Sequence, residues 1–220
     1  MDWPTTAEDL EREQNRLAVL QVNPWVTPGR LLCVGASSVV FGRSGRDAVG
    51  WAAAVVMEGE DIVATATCSM RTLVPFEPGR LALREGPILH RVMRDVVRRP
   101  DVLLVAAAGR DHPRRAGLAL HLGAVLDLPT VGVTEDPLLA TGDEPAQAWS
   151  SHAPLEIAGE VVAYRVRTRT GSKPVVAHAA WRTTAEVAAE VVLGSCALAR
   201  WPEPMREARR LARELRAHRA

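Results

Sequence analysis

The chain has 220 residues, of which 47% are apolar and 24% are charged, with a formal net charge of +1 at pH 7. These are ordinary globular proportions, and a chain of this length buries roughly 70% of the surface that its unfolded form exposes. Composition therefore excludes intrinsic disorder, a collagen-like fibre and a scaffold that depends on disulfides. The near-zero net charge excludes a polycation.

The sequence contains no signal for a membrane or for secretion. No apolar run approaches the ~20 residues that a membrane span requires. The first twenty residues are polar and acidic, without the hydrophobic segment that directs secretion. The three cysteines lie far apart, which is typical of reduced thiols and excludes a paired zinc motif. We therefore expect a cytoplasmic protein without membrane contact.

The first third of the chain predicts a helix followed by an antiparallel meander. Residues 6–19 place apolar side chains at helical spacing among charged ones, and two prolines follow. Short polar turns, the first over Gly42–Asp47, then separate three β-rich runs. These runs are Leu31–Val40, Gly50–Met57 and Asp61–Cys68.

The rest of the chain predicts strands that alternate with helices. The predicted helices are Pro78–Arg98, Arg114–Leu126, Thr184–Ala199 and Glu203–Arg216. The predicted strands are Asp101–Ala108 and Leu128–Thr134, then, after a loop over 136–152, a hairpin of Glu156–Thr168 and Pro174–His178. A strand–helix–strand pattern after a meander predicts one α/β domain over residues 1–220, with a mixed central sheet flanked by helices.

Three groups of short segments are similar to those of a known family. They are Pro75-Phe76-Glu77-Pro78-Gly79 with Leu83-Arg84-Glu85-Gly86-Pro87, then Gly109-Arg110-Asp111-His112-Pro113-Arg114, and then Gly171-Ser172-Lys173-Pro174-Val175 with Arg200-Trp201-Pro202-Glu203-Pro204. In this order and spacing the chain resembles the endonuclease V family from about Leu31 onward. The resemblance implies a ribonuclease H-like fold. It also implies a magnesium-dependent nuclease that cuts deoxyinosine- or inosine-containing strands in DNA repair.

The positions that hold the metal in the family are mostly substituted here. The resemblance implies three carboxylates, and Mg²⁺ prefers such oxygen ligands. Two of these positions fall at Gly35 and Ala106, and only Glu85 is retained. The family's lysine after Gly-Val-Ala falls at Glu135, and its histidine falls at Trp181. We therefore expect weakened or lost catalysis and no tightly bound Mg²⁺, with Glu85 as a remnant of the site.

Two alternatives stay open. In the first, Asp111 and Glu135 join Glu85 in a rebuilt metal site, and the chain is an active endonuclease. In the second, the chain is an interaction protein whose partner is not a nucleic acid. The sequence offers no Ser–His–Asp or Cys–His set with supporting context for other hydrolytic chemistry.

The nucleic-acid-binding segment is better preserved than the catalytic positions. In the family, a Pro-Tyr-x-Pro-Gly segment is a wedge that fills the gap when the altered base leaves the stack. Here its counterparts are Pro75, Phe76, Pro78 and Gly79. Base flipping costs a few kcal/mol, which stacking on such a ring partly offsets. Alternatively, this segment is a proline-fixed turn that packs Phe76 on the domain.

Three residues near the His-Pro-Arg motif are candidates for phosphate contacts. Arg114 and Arg115 lie at the start of a predicted helix, where the backbone favours anions, and His112 lies beside them. His121, in an apolar helix, is predicted to be a buried and hydrogen-bonded imidazole. The expected partner is inosine-containing or damaged DNA or RNA. No feature of the sequence predicts an oligomeric state.

Overall fold

A computed structural model describes residues 3–42, 48–72 and 74–219, and the predicted turn over 42–47 lies outside these ranges apart from Gly42. The helices are α1 Ala7–Val19, α2 Leu81–Arg94, α3 Leu118–Leu126, α4 Ala185–Gly194 and α5 Glu203–Arg219. The strands are β1 Cys33–Phe41, β2 Ala48–Glu58, β3 Asp61–Thr72, β4 Val102–Val105, β5 Thr130–Thr134, β6 His152–Ile157, β7 Glu160–Val166 and β8 Val175–Ala179. Among the described residues, no helix is long and apolar enough to cross a membrane.

All eight strands form one mixed sheet in the order β3-β2-β1-β4-β5-β8-β7-β6. Strands β1, β4 and β5 are parallel neighbours. The β1–β2–β3 meander and the β5–β8–β7–β6 region are antiparallel. The predicted mixed α/β sheet and the meander at its start are therefore confirmed.

Helices cover both faces of the sheet, because the central strands alternate apolar side chains between two cores. Leu103 and Val105 of β4 pack with α1, α2 and α3 on one face. Val102 and Leu104 pack with α4 and α5 on the other. Strands that are buried on both faces have near-continuous apolar sequences, and this pattern is the one from which the central strands were predicted. Helix α1 begins after Thr6, whose hydroxyl accepts a hydrogen bond from the Asp9 amide at 3.1 Å.

The segment between β4 and α3 differs from its prediction. Strand β4 ends at Val105, not Ala108, and α3 begins at Leu118, not Arg114. Residues 106–117 form a compact loop, which we call the His-Pro-Arg loop. A Cβ added at Gly117 would lie 2.2 Å from the Ala108 carbonyl oxygen, so only glycine allows the loop to close this tightly. The arginines of the motif therefore do not begin a helix.

The predicted hairpin at the far edge has one more strand than expected. The run assigned to Glu156–Thr168 is two strands, β6 and β7, and β6 begins inside the predicted loop at His152. The chain reverses at Ala158 and Gly159, with φ of 51° and 79°. The left-handed conformation of Ala158 is unusual for a residue with a Cβ, so composition does not predict this turn. The antiparallel pairing of β7 with β8 agrees with the predicted hairpin.

Candidate nucleic-acid interface and catalytic edge

Three parallel strands end at the same edge of the sheet, where α/β proteins generally bind ligands. Val105 of β4 pairs with Ser37 of β1 and with Gly132 of β5. Exposed Ala106 follows β4 directly, and Thr134 ends β5. We call this region, with Ser37, Ala106 and Thr134, the carboxyl edge.

Gly35 does not lie at the carboxyl edge. Gly35 pairs with Leu103, two residues before the Ser37–Val105 pair and thus about 7 Å from it along the strand. A Cβ at Gly35 would lie 2.8 Å from the Pro100 Cγ atom, so the position does not open on a groove. The β1 residue beside the end of β4 is Ser37. Its side chain is buried, and its hydroxyl has no hydrogen-bond partner among the described residues.

Glu85 of α2 is an isolated carboxyl group. Burial raises its pKa to about 7. No ion pair or hydrogen bond joins its side chain to any described residue. Its neighbour Arg84 lies 4.2 Å over the Phe41 ring and donates to the Val74 carbonyl oxygen. The positive charge of Arg84 acts against this rise in pKa but does not cancel it.

Asp111 anchors a loop and is fully buried. Its carboxylate accepts hydrogen bonds from the backbone amides of Leu138, Leu139 and Ala140 at 2.7, 2.7 and 2.8 Å. These three donors occupy both oxygens and fix the segment that follows β5. Because a metal ligand needs a free, approachable oxygen, this geometry gives no support to Asp111 as a metal ligand.

Glu135 is exposed and already paired with two cations. Its Oε1 lies 3.0 Å from Arg200 Nη1 and 3.8 Å from Lys173 Nζ. Within the described ranges, no three His, Cys, Asp or Glu side chains cluster closely enough to hold a metal ion. The structure thus does not bring Glu85, Asp111 and Glu135 together, and the donors present do not fit Mg²⁺.

A buried polar array behind the carboxyl edge has no counterpart in the sequence analysis. His178 of β8 is fully buried, and its Nε2 lies 2.7 Å from Thr134 Oγ1. Its Nδ1 lies 3.7 Å from Asp111 Oδ2. Burial lowers the pKa of His178 to about 4, so the imidazole is neutral at pH 7. The sequence signal that could have revealed this buried polar array is the histidine inside the apolar run of β8.

The predicted wedge, residues 75–79, protrudes from the surface, and we call it the wedge turn. The side chain of Phe76 is 64% exposed, so the alternative in which it packs on the domain is wrong. Gly79 has a φ of 74°, a conformation that favours glycine. Arg80 Nη1 binds the Glu77 carboxylate at 2.7 Å, which offsets its negative charge. The turn therefore presents an aromatic ring to solvent.

The candidate phosphate contacts are engaged within the protein. Arg114 donates from Nε to Gln14 Oε1 at 2.7 Å and from Nη2 to the Gly79 carbonyl oxygen at 3.1 Å. His112 is buried, and its Nδ1 accepts from the Arg114 amide, so its Nε2 donates to Gly79 at 3.2 Å. Arg115 pairs with Glu160. The first two residues hold the wedge turn in place.

Two further positions lie in the core. Trp181, where the resemblance implies a histidine, is 9% exposed and packs with α3. His121 is fully buried and stacks on Trp3 with ring centroids 4.5 Å apart. Neither of its nitrogens has a partner among the described residues, and burial lowers its pKa to about 4. The burial of His121 is confirmed, but its predicted hydrogen bonds are not.

Comparisons with known proteins agree with this architecture. The family model for endonuclease V matches residues 21–210. The endonuclease V of Methanopyrus kandleri is 41% identical over 164 residues, which are 74% of this chain and 71% of that protein. The crystal structure of endonuclease V from Streptomyces avermitilis superposes with a TM-score of 0.87 at 32% identity, covering 99% and 96% of the two chains.

A more distant structure shares the fold and was solved with a nucleic acid. The Ciona intestinalis endonuclease V superposes with a TM-score of 0.81 at 20% identity, covering 97% of this chain and 98% of that one. That protein was crystallised with a 24mer DNA containing an inosine followed by a ribo-adenosine. These neighbours establish the expected α/β ribonuclease H-like fold.

Proposed function

Because the chain belongs to the endonuclease V family, we propose that it recognises inosine-containing nucleic acid while its capacity to cut the strand is lost or much weakened. The observation that carries this proposal is the contrast between an exposed Phe76 and a carboxyl edge at which Ser37 and Ala106 offer no carboxylate. The family's activity supports a nucleic-acid ligand. The substitution of two family carboxylates supports the loss of strand cleavage.

Recognition depends on stacking and shape. When a base leaves the stack, an aromatic ring that enters the gap restores part of the lost stacking, worth about 1–3 kcal/mol per base. Phe76 is placed for this, because it is exposed on a turn held by His112 and Arg114. The inosine-containing DNA bound by the Ciona intestinalis protein is consistent with this use of the fold.

Phosphodiester cleavage by the family depends on a metal that stabilises the attacking and leaving oxygens. At the carboxyl edge, Ser37 offers a hydroxyl and Ala106 a methyl group, and the one carboxyl retained at a family position, Glu85, lies on α2. Asp111 and Glu135 are committed to backbone amides and to cations, respectively. Among the described residues, this donor set does not fit a metal ion.

The proposal is tested with matched single strands that contain either inosine or adenosine at one position. Fluorescence anisotropy at several salt concentrations measures binding, and gel electrophoresis after incubation with Mg²⁺ or Mn²⁺ measures cleavage. We expect salt-dependent binding that favours the inosine strand, without cleavage. Cleavage of the inosine strand would instead support an active enzyme with a rebuilt site. Equal absence of binding to both strands would support an interaction protein with another partner.

A further inference from the structure

We propose that helix α1 belongs to the nucleic-acid site, with Gln14 and Glu11 as positioning residues that hold the wedge turn through Arg114 and Arg80. This inference rests on the proposed function, because it assigns a role to the helix in placing Phe76. The helix itself contributes no group that contacts the ligand. Its role is to fix the position of the Phe76 ring.

A continuous chain of hydrogen bonds connects α1 to the wedge turn. Gln14 is 1% exposed on a helix face otherwise occupied by Leu10 and Leu17. Its Oε1 accepts from Arg114 Nε at 2.7 Å, and Arg114 Nη2 donates to the Gly79 carbonyl oxygen at 3.1 Å. A buried amide in an apolar face costs free energy unless its hydrogen bonds are made, so Gln14 fixes the position of Arg114.

A second connection runs along the surface. Arg80 Nη2 binds Glu11 Oε1 at 3.1 Å, while its Nη1 binds Glu77 of the wedge turn at 2.7 Å. Glu11 also lies 3.7 Å from Arg114 Nη1. Such half-exposed pairs add little to stability. Their geometry does, however, link both sides of the turn to one helix.

The wedge turn has few other supports. Phe76, Glu77 and Pro78 are exposed, so no core packing of their side chains fixes the turn. The Gly79 carbonyl oxygen is held by Arg114 and by His112 of the same loop. If Arg114 loses its partner on α1, the turn loses one of its main constraints. Because phosphate contacts dominate affinity, we expect the loss to affect base unstacking more than binding.

The chain offers matched variants for the test. Gln14→Leu removes the acceptor and introduces an apolar side chain that suits a buried helix face, whereas Gln14→Glu keeps an acceptor for Arg114 Nε. Arg12→Gln is the control, since Arg12 pairs with Glu8 and Asp9 of its own helix. Glu11→Gln is a second test of the same connection that leaves the buried face unchanged.

Hydrogen–deuterium exchange of the free protein measures the connection without any ligand. We expect exchange in residues 75–80 to accelerate on the order of tenfold in Gln14→Leu, and by less in Glu11→Gln. Gln14→Glu and Arg12→Gln should match the unmodified chain. Unchanged exchange in the wedge turn would overturn the inference. Acceleration spread equally over the strands of the sheet would also overturn it, because it would indicate general destabilisation.

A fluorescent strand then tests the consequence for recognition. With 2-aminopurine beside the inosine, unstacking appears as increased fluorescence when the protein is saturating. We expect Gln14→Leu to lose at least half of this increase and to raise the Kd by less than Phe76→Ala does, and Gln14→Glu to restore the increase. Full fluorescence with Gln14→Leu would contradict the inference. If the unmodified chain binds neither strand, the proposed function fails, and the exchange experiment still decides whether α1 holds the turn.

Discussion

The wedge turn and the carboxyl edge differ in the groups that they offer to a ligand and in how those groups are held. Around the wedge turn, His112 and Arg114 converge on a single carbonyl oxygen, that of Gly79. At the carboxyl edge, Thr134 is hydrogen-bonded to His178, but Ser37 has a hydroxyl without a partner among the described residues, and Ala106 offers no polar side-chain group. The first region is held by convergent hydrogen bonds, and the second offers no carboxylate.

This difference follows from what each task requires. A wedge needs an exposed ring on a turn of fixed shape, and here the hydrogen bonds of His112 and Arg114 to Gly79 fix that shape. A metal site needs several oxygen atoms at one point, so it is more sensitive to the substitution of single carboxylates. Under the proposed function, the fold keeps recognition while its capacity for cleavage is lost or much weakened.

The largest expected effect is the recovery of cleavage when carboxylates return to the carboxyl edge. We expect Ser37→Asp, Ala106→Asp and Glu135→Lys together to cut inosine strands with Mg²⁺ on the order of 100-fold faster than the unmodified chain. Without metal, the clustered acids repel and lower stability, and added metal should reverse that loss. Single-turnover cleavage and thermal unfolding measure the two effects.

The matched control places the first aspartate at Gly35 instead of Ser37. Because a Cβ there would lie 2.8 Å from Pro100, this variant should be destabilised and should not respond to metal. Equal cleavage by both versions would show that the strand register does not locate the site. A folded Ser37 version that binds metal and never cuts would show that Trp181 also prevents catalysis.

The next largest effect concerns Asp111. We expect Asp111→Ala to lower the free energy of unfolding by about 3 kcal/mol, since it leaves three backbone amides, of which that of Ala140 is buried, without an acceptor. Urea unfolding measures the loss, and Asp143→Asn, on an exposed loop residue, is the control. A stable variant that has lost an Mg²⁺-dependent activity would instead assign Asp111 to a metal site.

Replacement of the wedge ring should separate binding from stability. Phe76→Ala should weaken binding to the inosine strand by ~1–3 kcal/mol, the usual contribution of a base–aromatic stack. Because Phe76 is 64% exposed, the unfolding midpoint should hardly change. Phe76→Tyr, which keeps the ring, is the control. Unchanged affinity in the alanine variant would remove Phe76 from the recognition mechanism.

The smallest effect is a pH-dependent stability difference at Glu85. Burial raises the pKa of Glu85 to about 7, so the folded state holds this proton more tightly than the unfolded state does. Stability attributable to the group is present below about pH 4.5 and is lost as pH rises toward 7. Glu85→Gln should thus be more stable than the unmodified chain by about 1–2 kcal/mol at pH 8, and equally stable at pH 4. A difference that persists at pH 4 would contradict this explanation.

The sequence predicts the regular elements better than the residues at the carboxyl edge. Continuous apolar runs predicted β4 and β5, and the proline-flanked Phe76 marked the turn that the structure shows to be exposed. The register of β1 depends on pairing across the sheet, so sequence similarity placed the first family carboxylate at Gly35, although Ser37 lies beside Val105.

Tertiary contacts explain the remaining differences. Asp111 and His178 are far apart in sequence, and only the folded sheet brings them within 3.7 Å. Arg114 was expected to face a phosphate, yet Gln14, a hundred residues away, holds its guanidinium inside the protein. Such pairings leave no local pattern in the chain.

One measurement tests both halves of the comparison together. In a crystal of the chain with an inosine-containing strand, the electron density locates the base and the Phe76 ring, and anomalous scattering after an Mn²⁺ soak locates the metal. We expect the inosine to be displaced from the stack beside Phe76, with no anomalous peak within coordination distance of Glu85. A Mn²⁺ ion held by Glu85 and a second acid would contradict the account.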